Sequence, residues 1–191
     1  ETGHRVSLVE QERQLGGMVR AAGVPPMKWD ILSLIPALAA EAEALGVKIR
    51  TNCRVEPDRI APGAYDLVVL ATGQEPFFPC LWENDGSLRE TTAVALLNGE
   101  SWCGERVALI GGGMVGCECA EFLSEYGKKV TLFEMKEGLA QDAYWNIRDQ
   151  LLQRMKKYEV RAVTGAAATA VRKRSIVCME NEAERSYGPF D

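Results

Sequence analysis

The stretch of sequence that decides the fold is Val107-Ala108-Leu109-Ile110-Gly111-Gly112-Gly113-Met114-Val115-Gly116. Four apolar residues lead directly into three consecutive glycines, which is typical of a buried β-strand that ends in a tight turn. Apolar spacing then predicts a helix from Met114 to Tyr126, and Gly127 stands where such a helix ends. A second strand is predicted at 130–133, directly before Glu134. These elements together predict a strand–helix–strand unit.

The glycines of this unit have the spacing GxGxxG. Gly111 would allow the tight turn, Gly113 would let the backbone approach a pyrophosphate, and Gly116 would let the helix pack closely on the strand. The pyrophosphate would lie at the helix N-terminus, beside Met114 and Val115, where free N–H groups favour an anion. The unit therefore predicts a dinucleotide site, and the alternative is a glycine turn that only packs.

The acid that follows the second strand indicates which dinucleotide the site takes. Glu134 lies 23 residues after Gly111, at the position where an acid accepts hydrogen bonds from the adenosine ribose. Its carboxylate would repel a 2′-phosphate, so the sequence favours NAD(H) over NADP. Lys136 nearby keeps NADP open as an alternative.

The same phrase occurs twice in the chain. Residues 3–10 read Gly-His-Arg-Val-Ser-Leu-Val-Glu, and residues 127–134 read Gly-Lys-Lys-Val-Thr-Leu-Phe-Glu. Each copy is a helix-ending glycine, a strand and then an acid. Only the second copy has its glycine loop upstream, which predicts two related nucleotide-binding units with the first incomplete.

Alternating strand and helix patterns continue along the chain and predict a Rossmann-like α/β fold. The apolar run at 66–73 predicts a strand buried on both faces. A helix is predicted over 31–45, where Pro36 requires a kink or a later start, and another over 144–157. We expect a mainly parallel sheet with a smaller antiparallel element, and two domains, 1–75 and 76–191.

Composition excludes several classes of protein. The chain has 191 residues and a net charge of −5, and its basic residues are not clustered as a nucleic-acid surface requires. No apolar run approaches the roughly 20 residues that span a membrane. The six cysteines have neither zinc nor CxxC spacing, and His4 is the one histidine. We expect a cytoplasmic protein with reduced thiols and no metal site.

Several short motifs together resemble those of flavoproteins with two dinucleotide-binding domains. They are Glu10, Leu15-Gly16-Gly17, Val24-Pro25-Pro26, Val69-Leu70-Ala71-Thr72-Gly73 and Ile110-Gly111-Gly112-Gly113-Met114-Val115-Gly116-Cys117-Glu118. Among such proteins, the chain looks most like the C-terminal region of old-yellow-enzyme-type NADH:flavin oxidoreductases, a group that includes 2,4-dienoyl-CoA reductase and trimethylamine dehydrogenase. The resemblance covers nearly the whole chain.

The resemblance implies roles for particular residues. Glu10 would meet the ribose of FAD or ADP, and Leu15, Gly16 and Gly17 would give backbone contacts near the flavin nucleotide. The turn beside the flavin nucleotide would be formed by Ala71, Thr72 and Gly73. Glu118 would help to place the nicotinamide; the alternative is a solvated acid in the first turn of its helix. Cys117 and Cys119 are expected to be small packing residues rather than a redox pair, because positions i and i+2 point to different helix faces.

The resemblance also implies that the chain is one part of a larger enzyme. The chain does not begin with Met, and we expect a fragment whose FAD glycine loop, FMN barrel and 4Fe-4S cysteines lie elsewhere in the parent. FAD would be bound in the parent, and this chain would hold neither FMN nor the cluster. No residue presents itself as a catalytic acid, base or nucleophile, so the isolated chain is expected to be inactive. Separation from the parent would expose an interface, through which we expect the chain to self-associate. The alternative functions are a redox-silent module that binds ADP and a glutamate-synthase-like electron-transfer subunit.

Overall fold

A computed structural model describes residues 3–77 and 83–191. The chain forms two compact units, the first ending at Glu75 and the second beginning at Pro76. Of the six strand pairs in the described residues, four are parallel. The expected α/β class with mainly parallel pairing is therefore confirmed.

The first unit has a two-stranded parallel sheet, and its helices lie between the two strands in the sequence. Strand β1 (Ser7–Val9) pairs with β2 (Lys48–Arg50), with Leu8 opposite Ile49. Between them lie the short helix α1 (Met18–Ala22), a 3₁₀ turn (Trp29–Ser33) and α2 (Leu34–Ala44), and a 3₁₀ turn (Pro57–Arg59) follows β2.

The start of α2 resolves the ambiguity at Pro36. The helix begins at Leu34, later than the apolar pattern predicted, and Pro36 therefore lies in its first turn. The first four N–H groups of a helix have no partner within it, so a proline costs nothing there.

The strand predicted at 66–73 is wrong. The segment forms no strand, and the side chains of Leu67, Val69 and Leu70 are 78%, 75% and 82% exposed. A strand buried on both faces requires neighbouring strands. In the described part of this unit β1 and β2 pair only with each other, so residues 66–73 have no neighbouring strand.

The second unit contains the predicted strand–helix–strand core. Strand β4 (Arg106–Ile110), helix α4 (Met114–Glu125) and strand β5 (Lys129–Phe133) follow within a residue of their predicted limits. Helix α5 (Trp145–Lys157) then leads to β6 (Arg161–Val163), and the parallel order is β4-β5-β6. A short helix, α3 (Ala93–Leu97), precedes β4.

The core of this unit lies on both faces of β5. Val130 and Leu132 pack with Cys117, Ala120 and Leu123 of α4, and with Leu151 and Met155 of α5. Phe133 points to the other face and packs with residues that include Val171, Ile176 and Phe190. A central parallel strand is typically buried on both faces, as β5 is. This packing holds β5 in place, and with it Glu134, which directly follows the strand.

A separate mixed sheet completes the second unit. Its order is β3 (Glu83–Asn84), β7 (Ala167–Arg172), β8 (Ser175–Glu180) and β9 (Ala183–Tyr187). Both hairpins turn through two residues with positive φ, Lys173–Arg174 and Asn181–Glu182, as type I′ turns require. Neither pair contains the glycine that usually marks such turns. Strand β9 is not predicted from the sequence, because its residues are mostly polar and exposed.

Candidate functional site

The glycine loop joins β4 to α4 at the C-terminal edge of the parallel sheet. Gly111 has φ +103°, which favours glycine, and its N–H donates to the carbonyl of Phe133 at 2.8 Å. A Cβ on Gly116 would overlap the carbonyl oxygen of Gly111 and lie 3.3 Å from Leu109 Cδ2. The first glycine thus makes the turn, and the third allows α4 to lie against the loop.

Glu134 is fixed beside this loop by its backbone partners. Its Oε2 accepts a hydrogen bond from the N–H of Gly112 at 2.6 Å, and its Oε1 accepts one from the N–H of Lys136 at 2.8 Å. The residue is only 9% exposed. Each carboxylate oxygen has a second lone pair, so the group can accept further hydrogen bonds from a ligand hydroxyl. The structure therefore holds a carboxylate within one hydrogen bond of the glycine loop.

The first turn of α4 donates a hydrogen bond to a carboxylate from outside the helix. The N–H of Met114 donates to Oδ1 of Asp142 at 2.8 Å. Asp142 lies on the segment after Glu134, and the N–H of Ala140 in the same segment donates to the carbonyl of Gly112 at 2.7 Å. Asp142 was not predicted to belong to the site, because the contact joins residues 28 positions apart and an exposed aspartate before a helix is an ordinary feature.

Glu118 is buried in the body of α4. It is 8% exposed, so the alternative of a solvated acid in the first turn is wrong. Its neighbours Cys117 and Cys119 are also buried, and both are free thiols in the structure. Burial raises the pKa of both Cys117 and Cys119 to about 12, so neither is a thiolate nucleophile at neutral pH.

Cysteine and metal chemistry have little support in the rest of the described chain. The remaining described cysteines, Cys53, Cys103 and Cys178, are free thiols, and Cys80 lies outside the described residues. Among the residues that the structure describes, no group of three or more His, Cys, Asp or Glu side chains could hold a metal ion. None of the helices in residues 3–77 and 83–191 is long and apolar enough to cross a membrane.

The repeated phrase of the sequence is also a repeated hydrogen-bond pattern. Glu10 Oε1 accepts from the N–H two residues later at 2.9 Å, as Glu134 Oε1 does at 2.8 Å. Three backbone hydrogen bonds are also repeated. In the first unit they run from Glu10 N–H to Arg50 O, from Asn52 N–H to Glu12 O and from Cys53 N–H to Glu10 O; in the second they run from Glu134 N–H to Val163 O, from Gly165 N–H to Lys136 O and from Ala166 N–H to Glu134 O. The equivalent residues Asn52 and Gly165 both have positive φ. Glu10 therefore stands in its unit as Glu134 stands in the other.

The other residues predicted for the flavin nucleotide fall in two places. Leu15, Gly16 and Gly17 directly precede α1, and both glycines have positive φ. A Cβ on Gly16 would lie 2.5 Å from Ile35 Cδ1 of α2, so this glycine allows close packing. Ala71, Thr72 and Gly73 lie in the exposed segment that follows residues 67–70, outside any strand of the described chain.

Comparison with known proteins gives the family. Residues 48–188 match the model of the pyridine nucleotide-disulphide oxidoreductases. The chain is 34% identical to an NADH oxidase of Thermoanaerobacter brockii, over 97% of this chain and 29% of the relative. It is also 34% identical to a bilirubin reductase of Mediterraneibacter gnavus, over 97% of this chain and 28% of that protein. The chain thus spans less than a third of the length of these relatives.

Solved structures agree with the sequence relatives. The fold is similar to that of a 2-naphthoyl-CoA reductase, with a TM-score of 0.86 and 25% identity over 96% of this chain and 28% of the other. Histamine dehydrogenase from Rhizobium sp. 4-9 shares the fold with a TM-score of 0.83 and 16% identity, over 97% of this chain and 29% of the other. With the family match over most of the sequence, these likenesses lead to one conclusion: the chain belongs to the pyridine nucleotide-disulphide oxidoreductase family.

Proposed function

We propose that the second unit binds the nicotinamide dinucleotide of an oxidoreductase that passes hydride from NAD(P)H to a flavin. The observation that carries this proposal is the carboxylate of Glu134, held by the N–H groups of Gly112 and Lys136 beside the glycine loop. The ribose of the adenosine would bind at this carboxylate, and the pyrophosphate would bind beside Gly113, Met114 and Val115.

The same geometry favours NAD(H) over NADP(H). Two backbone hydrogen bonds hold the charged group in place, so it cannot readily turn away from a 2′-phosphate. A fixed negative charge at this position would repel the phosphate. Lys136 is exposed, and its positive charge would offset part of this repulsion. We therefore expect NADPH to bind more weakly than NADH and not to be excluded.

The first unit would contribute to a flavin-dinucleotide site in the same way. Glu10 repeats the position and the hydrogen bonds of Glu134, which supports a ribose contact for it. Leu15, Gly16 and Gly17 would lie near the flavin nucleotide, and Ala71, Thr72 and Gly73 would complete the turn beside it. Glu118, buried in α4, would help to place the nicotinamide.

The parent enzyme would be of the old-yellow-enzyme type. Both relatives named above are much longer than this chain, which leaves room for further parts of the enzyme. FMN and a 4Fe-4S cluster would belong to those parts. The cofactors would carry the redox chemistry, and the residues of this chain would bind and orient them. We expect the 191-residue chain alone to bind nucleotide without turnover, and to self-associate. Its free thiols fit a cytoplasmic setting.

The test is a calorimetric titration of the chain with NADH, NADPH and ADP. We expect one site, with NADH binding more tightly than NADPH. The variant to compare with the unchanged chain is Gly113→Ala. Its Cβ would lie 3.3 Å from an oxygen of the exposed Asp142 side chain, which can move aside. The variant should fold, and it should bind NADH at least about tenfold more weakly than the unchanged chain. If ADP binds as tightly as NADH, the nicotinamide contributes nothing and a redox-silent ADP module replaces this proposal. If no ligand binds at millimolar concentration, the dinucleotide site is refuted.

A further inference from the structure

One carboxylate in the candidate site has a position that the proposed function does not account for. Asp142 Oδ1 accepts the N–H of Met114 in the first turn of α4 at 2.8 Å. Its two carboxylate oxygens lie 3.3 and 3.6 Å from the point where a Cβ of Gly113 would stand. The side chain thus fills the space in front of Gly113, and it uses an N–H that a bound anion would need.

The backbone around Asp142 is firmly attached to the glycine loop. Ala140 is fully buried, and its N–H donates to Gly112 O at 2.7 Å. Leu139 packs against Gly112, where an added Cβ would lie 2.6 Å from Leu139 Cδ2. Arg148 of α5 donates through Nε to the carbonyl of Leu139 at 2.7 Å. Because the segment is held at these points, a ligand cannot easily displace its backbone.

The side chain of Asp142, in contrast, is exposed and can rotate into solvent. A phosphate that approached Gly113 would meet both the occupied N–H of Met114 and a like charge within a few ångströms. Like charges at such a distance repel appreciably near a protein surface. A bound pyrophosphate and the present position of this carboxylate therefore exclude each other.

We infer that Asp142 is an internal competitor for the pyrophosphate position, and that it lowers the affinity of the site for every phosphate-bearing ligand. This inference rests on the proposed function. In the absence of ligand the carboxylate satisfies the first turn of α4, as a phosphate would. Binding then requires the side chain to swing out, so the affinity measured for a dinucleotide includes the loss of this contact.

The experiment measures the dissociation constants of NADH, ADP and adenosine for the chain and for three variants. Asp142→Ala removes the competing group, and Asp142→Asn removes its charge while keeping an acceptor for Met114. Asp149→Asn makes the same charge change at an exposed position on α5 and serves as the control. We expect Asp142→Ala to bind NADH and ADP about tenfold more tightly, which is the value of one charge-assisted hydrogen bond. Adenosine, which has no phosphate, should bind equally to all four proteins.

A second readout checks the state without ligand. Asp142→Ala should melt at a lower temperature than the unchanged chain when no nucleotide is present, because α4 loses its capping carboxylate. Asp142→Asn keeps an acceptor, so it should melt closer to the unchanged chain and still bind ADP more tightly.

Two results would overturn the inference in different ways. If the unchanged chain binds NADH and neither Asp142 variant changes the affinity for NADH or ADP, or if both weaken it, Asp142 is not a competitor while the proposed function stands. If the unchanged chain and all three variants bind neither NADH nor ADP, the proposed function fails and the inference fails with it.

Discussion

The same substitution, glycine to alanine, should have different effects at the glycine that packs against the loop, Gly116, and at the glycine that faces the ligand, Gly113. In Gly116→Ala the new Cβ would overlap the carbonyl oxygen of Gly111 and lie 3.0 Å from its carbon. Both are backbone atoms that cannot rotate aside, so α4 would have to move by about an ångström. Overpacking costs about 1–3 kcal/mol. Because the overlapped atoms are backbone, the upper part of that range applies, about 2–3 kcal/mol, and the better helix propensity of alanine returns about 1 kcal/mol. We expect a net loss of about 1–2 kcal/mol in the free energy of unfolding.

Gly113→Ala should have the opposite profile. Its backbone has φ −68°, which alanine adopts readily, and its Cβ would lie 3.3 Å from the exposed end of the Asp142 side chain. The free energy of unfolding should therefore change by no more than about 0.5 kcal/mol. The new methyl group would, however, occupy the space into which the pyrophosphate must come. NADH affinity should fall by at least about tenfold, because a contact worth about 1.4 kcal/mol is lost.

Urea unfolding followed by circular dichroism measures the first quantity, and calorimetry measures the second. Both alanine variants carry the same chemical change, so each is the control for the other. A Gly116→Ala variant as stable as the unchanged chain, or a Gly113→Ala variant less stable than Gly116→Ala, would refute the roles assigned to these two glycines.

Three further results are expected. Glu134→Gln should lower the free energy of unfolding by about 1–3 kcal/mol, because one amide NH₂ group would face a backbone N–H, and the NADH-to-NADPH preference measured by calorimetry should narrow. Cys117 and Cys119 should resist iodoacetamide at pH 8 in the folded chain, and mass spectrometry should find them labelled only after unfolding. Burial raises the pKa of both thiols from 9.0 to about 12. Their contribution to the free energy of unfolding is therefore fully present below pH 9, and it is lost as the pH rises toward 12, because the unfolded chain loses these protons first. Arg154→Met should destabilise the fold by about 3 kcal/mol in urea unfolding, because Glu121, with its side chain only 1% exposed, would lose its ion partner.

Each of these results has its own control. For the carboxylate that faces Gly112, the isosteric change at exposed Asp149 on α5 should leave the stability and the cofactor preference unaltered. For the thiols, labelling at pH 8 without denaturant would show that α4 opens and that the burial argument is wrong. For the ion pair, replacing both partners with apolar residues should recover most of the lost stability, and a double variant no better than Arg154→Met would contradict the account.

The part of the fold that could be predicted from the sequence is the part that local chemistry determines. From Val107 to Glu134 the strand, the glycine turn, the helix and the acid follow one another within 28 residues, and each is specified by its own composition. The structure reproduces these elements to within a residue. The repeat of residues 3–10 and 127–134 was also readable, because it depends on order alone.

The features that were missed depend on contacts between distant residues. Asp142 meets Met114 across 28 positions, and no motif marks it. The run 66–73 has the composition of a buried strand, yet a strand also needs a neighbour, and composition cannot supply one. Burial of Glu118 follows from the way α4 packs, which the position of an acid within a helix does not reveal.

The central claim is that the loop from Gly111 to Gly116 and the carboxylate of Glu134 together bind a nicotinamide dinucleotide. The most direct test is the backbone amide NMR spectrum of the ¹⁵N-labelled chain during titration with NADH. We predict that the largest shifts occur at Gly112, Gly113, Met114 and Val115, with a second group at the two residues after Glu134, and that all saturate together at one NADH per chain. Saturable shifts located elsewhere, or no shifts at millimolar NADH, would contradict the account.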